Sequence, residues 1–213
     1  MKVILLLLLA MITDKINAQS KVSVQGGMTI SRVRAIYDPK IKKGPVFGEF
    51  VNFVPYYHPY LGVEYEYAYK NARITTGVSF TAFGAGNTPL FGNIPWPTFY
   101  WVIPILGGYQ ISFNKDMNLL LKGGIDVGLQ QGESGVFHEG AKWGNINAVI
   151  GVELCYKRFR WGMRGHWGVT DFRYFPPYTY QHTAITTYLS YDLWDHAKAK
   201  ARRLRKRQEQ LLD

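Results

Sequence analysis

The chain has 213 residues, 47% of them hydrophobic and 15% aromatic, with one cysteine and a formal net charge of +10. That length allows one domain with a sizeable core, and the lone Cys155 excludes an internal disulfide and a cysteine-built metal site. Mean hydropathy is near neutral at -0.13, and past the N-terminal run no apolar stretch is long enough to cross a bilayer as a helix; alternating strands, which average out in any hydropathy window, stay open.

Residues 1–18 read as an export signal: Met1-Lys2, the apolar run Val3 to Ile12, then Ile16-Asn17-Ala18. The run is too short to anchor as a helix, so cleavage after Ala18 is expected. A first strand follows over Lys21 to Arg34, with Val22, Val24, Met28 and Ile30 on one parity and Gln25, Thr29 and Ser31 on the other. Ala35 to Tyr57 reads as a long loop. In the second strand, Tyr60 to Tyr69, Leu61, Val63, Tyr65, Tyr67 and Tyr69 oppose Glu64 and Glu66. Beyond Lys70-Asn71 the third strand sets Ile74, Thr76, Val78 and Phe80 against Arg73, Thr75, Ser79 and Thr81, and Gly84 to Pro97 is loop.

The stretch Thr98 to Gln130 is the most informative. A long apolar run, Phe99 to Phe113, meets a polar break, Asn114 to Met117. A second run then places Met117, Leu119, Leu121, Ile125, Val127 and Leu129 opposite Asn118, Lys122, Asp126 and Gln130. Paired runs of this length, joined by a tight polar turn, predict a membrane-spanning β-hairpin. Gly132 to Lys142 is loop. The sixth strand, Trp143 to Tyr156, opposes Ile146, Ala148, Ile150, Val152 and Leu154 to Asn145, Asn147 and Glu153. The seventh runs from Phe159 to about Phe172, with Trp161, Met163, Trp167 and Val169 opposite Arg160, Arg164 and His166. Asp171 to Gln181 is loop. The eighth, His182 to Trp194, sets Thr183, Ile185, Thr187, Leu189, Tyr191 and Leu193 against His182, Thr186, Tyr188, Ser190 and Asp192.

Short turns near 70, 115 and 157 alternate with long loops. The fold class this implies is all-β: an eight-stranded antiparallel up-and-down transmembrane β-barrel in an outer membrane, closed so that no sheet edge meets lipid. Both chain ends then lie on the periplasmic side. The inward parity collects the acids Glu64, Glu66, Asp126 and Glu153 and the bases Arg73, Lys122, Arg160, Arg164 and His166. A barrel of about eight strands is just wide enough for side chains to fill. Buried charges must pair, so the expectation is a salt-bridged plug; a narrow pore is the alternative.

Several segments, in order, resemble the PorT-like outer-membrane β-barrel family of Bacteroidota: VSVQGGMTIS, YLGVEYEYAYKNARITTGVSF, FYWVIPILGGYQISFNKDMNLLLKGGIDVGL and GVELCYKRFRWGMRGHWGVTDF. The resemblance covers most of residues 22–193 and is sharpest at Ile103-Pro104-Ile105-Leu106. Each motif is degenerate; the signal lies in their order and spacing. It implies an eight-stranded outer-membrane barrel and, through the family's namesake, a place in type IX protein secretion or gliding machinery. The tail of this chain departs from the family pattern.

Chemistry is sparse. Ser134, His138 and Glu139 share the third long loop and could in principle assemble a hydrolytic site on lipid, but their spacing matches no mechanism. His58 reads as a solvated interface residue, His166 as a member of the lumen network, and the remaining histidines show no metal-ligand spacing. No catalytic residue, metal or cofactor is expected, and the chain is read as non-enzymatic, with a lipid-modifying enzyme as the alternative. Phe47, Phe50, Phe53, Tyr56, Tyr57, Phe91, Trp96, Phe99 and Tyr100 cluster in or beside the first two long loops. An interface girdle needs only some of them, and the surplus fits an outer binding surface for lipid, sugar or protein.

Residues 195–213 form a basic tail without Gly or Pro and of high helix propensity, with Lys198, Lys200, Arg202, Arg203, Arg205, Lys206 and Arg207 crowded together. It reads either as a frayed solvated end or as a periplasmic helix that docks on an anionic surface or protein partner. An exported chain does not meet nucleic acid. The sequence thus gives three segments: a signal peptide (1–18), a barrel (19–194) and the tail. The expected role is an anchor or accessory subunit of a cell-envelope assembly, in contact with outer-membrane lipid and a periplasmic or outer-membrane protein.

Overall fold

The computed structural model describes residues 19–37, 55–85, 96–114, 116–133, 144–171, 173–175 and 178–195. The expected signal peptide, the basic tail, Ser134, His138, Glu139 and four of the nine long-loop aromatics lie outside these residues. Every described element is a strand: β1 (Gln19–Tyr37), β2 (Tyr56–Tyr69), β3 (Ala72–Ala85), β4 (Trp96–Ser112), β5 (Met117–Glu133), β6 (Gly144–Tyr156), β7 (Phe159–Gly168), β8 (Arg173–Phe175) and β9 (Tyr178–Asp195). Neighbours in sequence pair antiparallel from β1 to β7, β7 pairs with β9, and β9 returns to β1. Eight strands therefore close an up-and-down barrel, and the three-residue β8 continues the sheet beside Tyr178 to Tyr180.

Here the structure corrects the sequence reading. The seventh strand does not run to Phe172. It stops at Gly168, and the chain bends: the Val169 and Thr170 N–H groups both donate to the Ile146 carbonyl, while Thr170 Oγ1 accepts from the Ile146 N–H. Pairing with the next strand resumes in β8, inside what the sequence presented as loop. Strands β1 and β2 also reach further than their alternation showed, to Tyr37 and from Tyr56.

At about 3.3 Å per residue and a tilt of about 40°, the fourteen residues of β2 rise about 35 Å, beyond a ~25 Å apolar band. The strands end in tight turns at one rim. Lys70 and Lys157 occupy positive φ, at 53° and 56°, and each ammonium lies over the ring of the preceding tyrosine. The third turn is held by Asn114, whose Oδ1 accepts from the N–H groups of Asp116 and Met117. Pro104 sits within β4 with no N–H to donate, and the β3–β4 ladder breaks beside it: pairing skips from Thr76↔Ile105 to Ser79↔Val102.

Alternation sorts the side chains into two surfaces. Outward lie Val63, Val78, Ile105, Ile125, Ile150 and Leu189 at mid-strand, all exposed. Aromatics ring the turn rim on the same surface: Tyr69, Tyr109, Tyr156 and Phe159. An apolar wall bounded by aromatics is the surface a bilayer selects. The core lies inside the barrel, and most of its buried side chains are polar.

Candidate functional site

The lumen is layered along the barrel axis. The layer nearest the turns is ionic. Register places Glu66 opposite Lys21 near the start of β1, while Arg73 and Arg160 are the second residues of β3 and β7. Lys122 Nζ from β5 lies 2.6 Å from Glu153 Oε1 and 3.5 and 3.8 Å from Glu64 and Glu66 of β2. Arg160 from β7 contacts Glu66 at 3.0 Å, Glu153 at 3.3 Å and Asp192 at 2.6 Å. Arg164 contacts Glu64 and Glu153, and its guanidinium lies 4.6 Å over the Tyr188 ring. Tyr188 in turn donates to Glu153 at 2.6 Å. Its ring passes over Gly162, where a Cβ would fall 2.3 Å from the phenol carbon, so glycine there makes room for the phenol. Arg73 and Lys21 close the layer at the rim through Glu66 and Asp192, each at 3.6 Å.

Some of these pairs cross the barrel. β2 and β5 are three strands apart in the sheet, as are β2 and β7 in the other direction, so the contacts of Glu64 and Glu66 with Lys122, Arg160 and Arg164 span the lumen instead of running along its wall. All nine charged residues expected inside are buried, at 8% exposure or less. The sequence reading placed Asp192 on the face opposite Leu193 but left it out of the charged network, where it carries one of the shortest contacts in the layer.

The middle layer is a chain of hydrogen bonds. His166 Nδ1 lies 2.8 Å from Asp126 Oδ2 and Nε2 lies 3.0 Å from Thr186 Oγ1. Thr186 meets Thr29 at 2.9 Å, and Thr81 donates to Thr29 at 3.0 Å. With Nδ1–H donating to the carboxylate, Thr29 donates to Thr186 and Thr186 donates to Nε2, so every hydroxyl in the chain has a partner. Acid, imidazole and hydroxyl in sequence is an order that can activate a nucleophile. Here Thr186 is fully buried and its oxygen is already held by Thr29. The adjoining cavity measures about 10 Å³, too small for a substrate carbonyl. The chemistry this layer supports is structural.

The layer nearest the long loops is aromatic. Phe83, Tyr100, Val102 and Ala184 form a buried cluster. Phe83 lies 5.6 Å from the Tyr100 ring and 5.4 Å from His182, and the Tyr100 hydroxyl is 3.2 Å from His182 Nε2. Two sequence readings are corrected here. Tyr100 is wholly buried in the lumen and does not belong with the outer aromatics, and His58 is 4% exposed, not solvated. Tyr100 escaped because β4 is apolar on both faces, so parity could not be read from composition; it shares its face with Val102 and Leu106. Of the other loop aromatics, Tyr57 is exposed, the Tyr56 ring tilts against His58 at 4.4 Å, and Phe99 stacks on Phe80. Trp96 opens β4; Phe47, Phe50, Phe53 and Phe91 lie outside the described residues. Among the described residues no cluster of His, Cys, Asp and Glu could hold a metal.

No family model matches the chain, and no curated protein matches it in sequence. Solved structures do resemble it. Ail, the attachment invasion locus protein of Yersinia pestis, in complex with the heparin analogue sucrose octasulfate, is 14% identical over 84% of this chain and 100% of that one, with a TM-score of 0.44. Neisserial surface protein A is 9% identical over 82% of this chain and 99% of that one, at 0.49. OprG, an outer membrane protein from Pseudomonas aeruginosa, is 9% identical over 82% and 96%, at 0.48. At such identities the likeness concerns fold alone.

Proposed function

We propose that the chain is a non-conducting, non-enzymatic barrel of a bacterial outer membrane that serves as an anchor or accessory subunit of an envelope assembly. One observation carries this reading: ion pairs bridge the lumen from β2 to β5 and β7. A barrel filled in this way offers neither a passage nor a reaction chamber, so its work falls to its two ends. Its outer wall is apolar where lipid would lie. At the long-loop end Tyr57 is exposed at the start of β2, and the first loop adds Phe47, Phe50 and Phe53. At the turn end the last strand leads toward the seven bases between Lys198 and Arg207. In this reading residues 1–18 direct export, the turns face the periplasm, and the basic tail is the handle for an anionic or acidic partner. The degenerate resemblance to PorT-like barrels makes a secretion or gliding assembly of the type IX kind the first one to examine.

The test is crosslinking and affinity purification from native outer membranes, with the full chain beside one ending at Trp194. A partner recovered with the full chain and lost on truncation is the expected result. Equal recovery from both moves the contact to the outer loops, and an altered lipid profile in a deletion strain would instead favour a lipid-modifying enzyme.

A further inference from the structure

The cavity between the ionic and middle layers has an unusual pair of neighbours. Asp126 differs from the other buried carboxylates among the described residues. Glu64, Glu66, Glu153 and Asp192 each contact at least one lysine or arginine, whereas Asp126 meets only the His166 ring. Its Oδ1, in a residue 2% exposed, has no hydrogen-bond partner among the described residues. Arg164, also 2% exposed, spends its terminal nitrogens on Glu64 and Glu153 and leaves Nε–H without an acceptor. One atom lacks a donor, the other lacks an acceptor, and their formal charges are opposite.

Both residues line the same cavity of about 10 Å³, together with Tyr60, Ser79, Thr81 and Pro104. Ser79 and Pro104 line it where the β3–β4 ladder is interrupted. About 10–15 Å³ by this measure holds one water and nothing larger, and a buried water needs about two to four polar partners. A buried donor or acceptor without a partner is costly, and one water between a donor and an acceptor satisfies both.

We propose that this cavity is a binding site for a single water that accepts from Arg164 Nε–H and donates to Asp126 Oδ1. Its second proton goes to the phenolic oxygen of Tyr60, which gives its own proton to Gln25 Oε1 at 2.8 Å. The water gives Asp126, the one buried carboxylate among the described residues without a lysine or arginine contact, a partner that it shares with a guanidinium. It also joins the two polar layers, so that one network of ion pairs and hydrogen bonds runs from Lys21 at the turn rim through Asp192, Arg160, Glu153 and Arg164 to Asp126, His166 and the threonine chain. This goes beyond the proposed function and holds whatever partner the ends engage.

The experiment is a crystal structure of the refolded full chain in detergent, at a resolution that orders internal waters. The expected result is a full-occupancy peak about 3 Å from both Arg164 Nε and Asp126 Oδ1. Two outcomes overturn the assignment. One is direct contact between the guanidinium and the Asp126 carboxylate with the cavity collapsed; the other is an ordered cavity whose peak touches only one of the two charges.

Discussion

Replacing Glu153 by glutamine keeps the shape of the lumen and removes its most connected anion. The carboxylate is 1% exposed and touches Lys122, Arg160, Arg164 and the Tyr188 hydroxyl. Breaking a buried pair by removing one partner costs about 3–5 kcal/mol, because the other charge is left uncompensated. The lower end applies here. Glu66 remains 3.0 Å from Arg160, and Glu64 remains 3.5 Å from Lys122 and in contact with Arg164. A loss of about 3 kcal/mol is therefore expected for Glu153→Gln. Adding Lys122→Met removes the cation left worst off, so the double variant should be less destabilised than the sum of the singles by at least about 1 kcal/mol. Urea unfolding in lipid vesicles measures both, followed by the fluorescence of Trp101, Trp161 and Trp167 on the outer wall. Gel migration of unboiled against boiled samples confirms that each variant folded. A Glu153→Gln penalty below about 1 kcal/mol, the range of solvent-exposed pairs, would refute a dry, interlocked lumen.

Two further outcomes follow from the same surfaces. Ile150 is 65% exposed at mid-strand on the outer wall, so Ile150→Arg should cost about 2–4 kcal/mol in a bilayer, and an unchanged unfolding midpoint would remove the membrane assignment of that face. Planar-bilayer recordings of the wild-type barrel should show no conductance steps; steps that persist after repurification would mean that the Glu64, Glu66 and Arg164 bridges open on the recording timescale.

The barrel was legible because its two solvents differ. Lipid outside and charge inside force a period of two, and β2 shows it without exception over Val63 to Glu66. Charged positions such as Lys122 and Arg164 were therefore placed on the correct face from parity alone. Position along the axis was not legible, since alternation carries no information about height. That Arg160 and Asp192 meet 2.6 Å apart depends on the β7–β9 register, which sets Arg160 against Ser190. The middle layer was hidden for another reason. Thr29, Thr81 and Thr186 are the ordinary polar residues of a strand, and only the chain they form, ending on His166, gives them a role. The end of β7 was missed because Val169 continues the apolar parity past Gly168, where the chain bends onto Ile146.

The ionic layer contributes more to uniqueness than to stability. Well-packed apolar residues can equal or exceed a buried ion cluster in stability, so stability alone does not explain the presence of Lys122, Arg160 and Arg164. Register does. A slip of one residue in any strand turns every side chain to the other face. For β2 it would carry Glu64 and Glu66 to lipid and bring Val63 and Tyr65 into contact with Lys122 and Arg164. A cation moved to lipid by a slip of β7 would cost about 2–4 kcal/mol at the midplane, and each stranded partner inside would add the penalty of an unpaired buried charge. An apolar lumen facing an apolar bilayer would have no such preference, because both parities would be equally soluble in both places. The charges thus specify which residues face inward, and the cross-lumen contacts specify which strands oppose one another. A barrel so determined holds its two rims at fixed spacing.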